Sequence, residues 1–164
     1  MELNLRYDMN SPPFGAPHPA LYRAAIEQAA WADRQGFDQV FLAEHHGAEH
    51  GYCPSSMVLA GAVFGATRDI LVHLSALVVT LHDPLRLAED LAVLDNISNG
   101  RIVFTAGMGY RPHEFEMFGR DITKRLSIMN NTMETLAKAW TGEPFEYDGR
   151  TVRVTPKPVR PGGP

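Results

Sequence analysis

The sequence predicts an α/β fold built from consecutive strand–helix units, and three observations predict it. Short apolar segments alternate four times with segments of helical period. Successive strands are separated by crossovers long enough to hold a helix, the connection that parallel pairing requires. Each strand ends in polar residues or glycines, which gathers chemical groups at one end of a parallel sheet.

The elements follow in order. The first strand spans 3–7 and ends in Asp8, Met9 and Asn10. A helix over 19–35 presents Tyr22, Ala25, Ile26, Ala29 and Ala30 on one face, and Gly36 stands where a left-handed cap is wanted. The second strand, 39–42, runs into Glu44, His45 and His46. Ser55 or Ser56 caps the second helix, which carries 57–67. The third strand, 70–79, is apolar except at His73 and Ser75, as suits a strand covered on both faces. Asp83 as N-cap and Pro84 at the first helical position open the third helix. Its inner face is Leu87, Leu91 and Leu94, Arg86 and Asp90 lie one turn apart on its surface, and Asn99-Gly100 ends it. The fourth strand, 102–106, leads into Gly107, Met108, Gly109 and Tyr110. A short helix over 112–117 precedes a long one over 123–140, whose apolar stripe is Leu126, Met129, Met133, Leu136 and Trp140. Residues 145–154 predict a hairpin turning at Asp148-Gly149.

Two architectures accommodate this order: an open doubly wound sheet and a closed barrel. The polar strand ends favour the barrel. A closed barrel needs eight strands and roughly 250 residues. The expectation is therefore the first four βα units of a (β/α)8 barrel of the TIM type, a half-barrel, with a C-terminal hairpin. The 164 residues are expected to form a single domain, with a Pro/Gly-rich tail over 155–164 leading toward a fifth strand.

Composition narrows the function classes. Hydrophobic residues make up 45% and charged residues 21%, ordinary values for a globular protein. A net charge of -4 offers no basic face for nucleic acid. No apolar run reaches the roughly 18 residues of a membrane span. The start of the chain alternates like a strand and does not resemble a signal peptide. Cys53 is the single cysteine, which excludes an internal disulfide and suits a reducing cytoplasm.

Glu44-His45-His46 is the most informative cluster. Imidazole and carboxylate at a strand end can move protons near neutral pH. The same residues also suit a polar rim that stabilises a loop. His46 and His50 could ligate a metal, but Gly47 and Gly51 place them on a loop without fixed spacing, so no metal is expected. Gly107-Met108-Gly109 lets a flat or phosphorylated ligand approach the backbone, or makes a tight turn. Pro112 replaces the third glycine of a dinucleotide fingerprint. Ser75 sits in an apolar strand, where serines commonly bond to nearby backbone. Arg111 can meet an anion or solvent, and nothing near Cys53 marks an activated thiol.

Four ordered stretches then carry a resemblance. Gly36-Phe37-Asp38 with Phe41-Leu42-Ala43-Glu44-His45-His46 resembles the second strand of bacterial luciferase-like monooxygenases. Leu81 to Asp90, reading LHDPLRLAED, is similar to that family's third helix start. Leu94 to Arg101, LDNISNGR, is similar to its link into strand four. Gly107-Met108-Gly109-Tyr110-Arg111-Pro112-His113-Glu114-Phe115 with Phe118-Gly119 is similar to the loop beyond.

The resemblance implies a barrel, usually dimeric, that binds reduced flavin or, in some branches, a deazaflavin at its C-terminal rim. His45 matches the family's catalytic histidine and Glu44 the carboxylate before it. Ser75-Ala76 matches a pair lying against the flavin ring, often through a non-proline cis bond. Gly107 and Gly109 would lie under the flavin, with Tyr110 beside it. Where this chain has Gly107 and Met108, luciferase itself has a reactive cysteine and a phosphate-binding arginine, so light emission does not follow. The implied activity is oxygenation of a small organic substrate by reduced FMN and dioxygen, with a separate flavin reductase, a homodimeric assembly and no nucleic acid or membrane partner. A deazaflavin-dependent hydride transfer on the same fold is the second reading, and a non-catalytic half-barrel or binding module the third.

Overall fold

The structure is a computed structural model describing residues 1–164. Strands β1 (Asn4–Tyr7), β2 (Gln39–Leu42), β3 (Leu71–Val78) and β4 (Ile102–Gly107) form one sheet in the order β1-β2-β3-β4. β1 pairs with β2 and β2 with β3 in parallel, with Tyr7 opposite Leu42 and Leu42 opposite Leu74. Helices α1 (His18–Arg34), α2 (Ser56–Ala66), α3 (Pro84–Ser98), α4 (Pro112–Met117) and α5 (Arg125–Ala139) complete the α/β pattern. Strands β5 (Phe145–Tyr147) and β6 (Arg150–Val152) form a separate antiparallel hairpin. No helix is long and apolar enough to cross a membrane. The chain forms two compact units, Met1–Leu77 with Arg101–Thr105, and Val78–Gly100 with Ala106–Pro164.

In the first unit the sheet buries Val40, Leu42, Val72 and Leu74 completely. Each such side chain contributes about 1.5–3 kcal/mol when removed from water. α1 buries only small residues, Ala25, Ala29 and Ala32, whereas α2 buries Leu59, Ala60, Val63 and Phe64. Gly36, at φ +75, supplies the left-handed residue that ends α1.

A single carboxylate ties the end of α1 to the start of β3. Asp33 accepts the backbone N–H groups of Arg68 at 2.8 Å, Asp69 at 2.9 Å and Ile70 at 2.6 Å. Partial burial works to raise its pKa, but these three donors, with Arg101 nearby, outweigh it and hold the carboxyl below the ordinary 3.8. A depressed folded pKa stabilises the fold above the unfolded value and loses that contribution as pH falls through the folded one. Asp33→Asn is expected to cost about 1–2 kcal/mol at neutral pH, with the gap to the parent closing below about pH 4. Urea denaturation across that range checks it; a gap constant with pH would show that the charge is not what matters.

In the second unit α3 begins as its sequence signals. The Asp83 side chain accepts from Arg86 N at 3.0 Å and Pro84 holds the first position. Asn99 (φ 54) and Gly100 (φ 82) are both left-handed and terminate it. Leu87, Leu91 and Leu94 are buried, and Arg86 pairs with Asp90 across one exposed turn at 2.9 Å. β3 stops at Val78, because Val79–Leu81 turns into a single 3-10 turn before α3.

α5 keeps the C-terminal part of the expected stripe and departs from the rest. Leu136 and Trp140 are buried as expected, but so are Thr132, Thr135 and Ala139, whereas Leu126 is 62% exposed and Met129 and Met133 are only half-buried. α5 packs against α3, and its buried residues combine Leu136 with threonines and alanine. Thr135 tolerates burial by donating its hydroxyl to Asn131 O at 2.7 Å. Beyond α5, Trp140 donates its indole N–H to Ala88 O at 3.1 Å. Asp148 (φ 48) and Gly149 (φ 71) make the hairpin turn with both central residues left-handed. The tail is fastened to the end of α3: Asp95 accepts from Arg160 N at 3.0 Å and Arg160 Nε at 3.3 Å, and Asn96 donates to Lys157 O at 2.7 Å.

Candidate functional site

The C-terminal ends of β1, β2 and β3 lie together, because Tyr7, Leu42 and Leu74 are register partners. Beyond β2 the chain is laced to the loop after β1. Ala43 N donates to Tyr7 O at 3.4 Å, His45 N to Cys53 O at 3.1 Å, Cys53 N to Asp8 O at 3.0 Å and Ser11 N to His50 O at 2.8 Å. These bonds hold the segment bearing Glu44, His45 and His46.

Glu44 and His46, two residues apart, point the same way, as alternation along an extended segment requires. Glu44 is 3% and His46 6% exposed, and Glu44 Oε1 lies 2.8 Å from His46 Nε2. His45, between them, is half-buried, and its ring meets Tyr52 edge-on with centroids 4.8 Å apart. Ser75 and Ala76 follow Leu74 at the same end of the sheet, both half-buried between the fully buried Leu74 and Leu77, and a cis peptide bond joins them. The structure therefore brings Glu44, His45, Ser75 and Ala76 to one end of the first unit's sheet. A concavity of about 360 Å³ walled by Ser11, Pro12, Pro13, Glu49 and His50 opens there too.

Two polar residues of this unit have structural partners. His73 bonds to the Thr105 hydroxyl at 2.8 Å and packs on Phe41, and its burial lowers its pKa. Cys53 is buried, which pushes its thiol pKa up, and it hydrogen-bonds to the Tyr22 hydroxyl, so it is a poor nucleophile.

Gly107, Gly109 and Tyr110 belong to the second unit. Gly107 is the last residue of β4. Gly109 has φ +74, and a Cβ there would stand 2.8 Å from Phe115 Cε2 and 3.1 Å from Val78 Cγ1. Phe115 is 1% exposed and clusters with Val78, Leu81 and the partly buried Ile122. This glycine is thus required by its own unit's packing as well as by its backbone. Gly109→Ala is expected to cost about 1–3 kcal/mol, read as a lower urea midpoint at unchanged m-value; an unchanged midpoint would mean the turn relaxes freely. Arg111 lies over the exposed Tyr110 ring at 5.5 Å and donates to its hydroxyl at 3.3 Å. Thr80, a polar residue that the sequence marks just past the third strand, is buried and donates its hydroxyl to Met108 O at 3.0 Å. Sequence reasoning missed Tyr52 beside His45.

Ser75-Ala76 is a stretch of backbone with small side chains, and His45 is a proton-handling group at the same end of the first unit's sheet.

Comparison with known proteins follows the same lines. The luciferase-like monooxygenase family model matches residues 9–164. An alkanal monooxygenase alpha chain from the Kryptophanaron alfredi symbiont is 30% identical over 126 residues, 77% of this chain and 35% of that one. An uncharacterised protein of Sinorhizobium fredii is 29% identical over 140 residues, 85% of this chain and 40% of its own. The chain thus spans 40% or less of the length of these curated relatives. Among solved structures, monooxygenase RslO1 from Streptomyces bottropensis superposes with a TM-score of 0.89 at 25% identity, covering 100% of this chain and 52% of that one. The oxygenating constituent of 3,6-diketocamphane monooxygenase from Pseudomonas putida, solved in complex with FMN, shares the fold with a TM-score of 0.82 at 24% identity, over 95% of this chain and 44% of its own. With a family match over nearly all of its residues and the motifs described above, the chain belongs to the luciferase-like monooxygenase family.

Proposed function

We propose that the protein carrying this chain is a flavin-dependent monooxygenase that uses reduced FMN and dioxygen to oxygenate a small organic substrate. The observation that carries the proposal is the half-buried His45 beyond the end of β2, at the same end of the sheet as Ser75-Ala76, in a family of monooxygenases. When bound, reduced flavin supplies the electrons that activate dioxygen.

The chain's own residues do the rest. His45 takes up and returns the proton at its ring nitrogen, a task imidazole performs near neutral pH. Glu44, fixed by His46, holds the segment in place. Ser75 and Ala76 offer the ring system a bare stretch of backbone, and Gly107, Gly109 and Tyr110 at the end of β4 are proposed cofactor contacts. A separate reductase supplies reduced flavin, the protein works in the cytoplasm as a homodimer, and the four strands are part of a closed barrel.

The test combines binding and product analysis in the intact protein. Anaerobic titration is expected to show reduced FMN binding more tightly than oxidised FMN. With labelled dioxygen and two probes, a long-chain alkanal and a diketocamphane, label is expected in the product of at least one. Absence of binding by either redox state of FMN would overturn the cofactor assignment, and tight binding without label in either product would overturn the oxygenation of these substrate classes.

A further inference from the structure

His45 lies beyond the end of β2. Its ring meets that of Tyr52 edge-on, with centroids 4.8 Å apart and an interplanar angle of 75°. Such edge-to-face pairs have a preferred geometry and resist rotation of either ring.

Tyr52 is itself unable to retreat. Cys53, the next residue, is bonded in both directions, donating its N–H to Asp8 O at 3.0 Å and accepting from His45 N at 3.1 Å. On the other side, Gly51 has φ +68, donates to Ala48 O at 2.9 Å, and lies so close to the His18 ring that no side chain would fit. His50 O accepts from Ser11 N at 2.8 Å and lies 3.3 Å from His18 Nε2, and the His50 ring stands 6.3 Å from that of Tyr52. The residues flanking Tyr52 are therefore pinned to the loop after β1 and to the start of α1.

We infer that Tyr52 is a positioning residue for His45: its ring, anchored by the laced loops after β1 and β2, holds the imidazole in the orientation its proton-handling role requires. The inference rests on the proposed role of His45 for its functional meaning, and on geometry alone for the contact.

The test uses the intact protein and reads His45 directly. In the proton NMR spectrum the Tyr52 ring is expected to shift the His45 Cε1–H resonance. Tyr52→Leu is expected to abolish that shift, while the resonances of His73 and His113 stay in place. Tyr52→Phe, which keeps the ring, is expected to restore it. In the labelled-dioxygen assay Tyr52→Leu is expected to lower product formation roughly tenfold or more, the scale of a misplaced reacting group, and Tyr52→Phe to recover it. An unchanged His45 resonance in Tyr52→Leu would overturn the inference. So would a Tyr52→Phe protein as impaired as Tyr52→Leu, since the hydroxyl would then be the active feature. If His45→Ala retains turnover, the role of His45 fails, and the resonance still decides whether Tyr52 holds it.

Discussion

Replacing His45 by alanine is expected to lower oxygenation by about 100-fold or more, the usual scale for a lost general acid or base. The fold should survive, because His45 is only half-buried and its backbone N–H bond to Cys53 O does not depend on the side chain. His46→Ala is expected to behave oppositely. Its ring is buried against Glu44, so the substitution leaves a buried carboxylate without that partner and costs about 1–3 kcal/mol of stability. Turnover per folded molecule should change little. Parallel measurement of urea midpoint and product formation separates the two. A His45→Ala protein with normal turnover beside an inactive but folded His46→Ala protein would reverse the assignment.

The largest stability effect is expected at Trp140. The indole is 8% exposed, its N–H is bonded to Ala88 O in α3, and Gly163 lies so close to the ring that no side chain would fit there. Trp140→Ala is expected to cost about 3–5 kcal/mol, the range for emptying a buried aromatic site. Trp140→Phe keeps most of the apolar volume and is expected to cost about 1 kcal/mol through the lost indole hydrogen bond to Ala88 O. Denaturant midpoints of both proteins check this, and near-equal losses would assign the stabilisation to the hydrogen bond rather than to packing.

The parts of the fold legible in the sequence were those governed by local chemistry. Asp83-Pro84 and Asn99-Gly100 bracket α3 because capping and left-handed backbone are one-residue requirements. The hairpin at Asp148-Gly149 follows from a similarly short-range signal, and the strand order from the alternation of strands with helical crossovers, a pattern that repeats along the chain. The cis bond at Ser75-Ala76 is where the family resemblance implied it.

What the sequence hid were features made by distant partners. Asp33 is an ordinary helix residue until residues 68–70 arrive beneath it, 35 to 37 positions later. The α5 stripe misled because methionine is apolar yet flexible enough to sit half-exposed, whereas Thr132 and Thr135 occupy the buried face. At the site, the sequence marked Glu44, His45 and His46 but could not divide their roles. That division depends on burial and on the 2.8 Å contact that commits His46 to Glu44. Tyr52 carried no signal at all, because its proximity to His45 is created by the loop's return bond from Cys53 to Asp8.

The bond between Asp95 and Arg160 has a consequence for the chain during its synthesis. The carboxylate is 0% exposed in α3, and the groups that neutralise it lie 65 residues further on. A chain emerging from the ribosome N-terminus first completes α3 long before Arg160 exists. Through that interval, packing the end of α3 would bury a charge without its partner, which is costly. Burial of Asp95 in α3 is thereby coupled to the arrival of Arg160, 65 residues later in the chain.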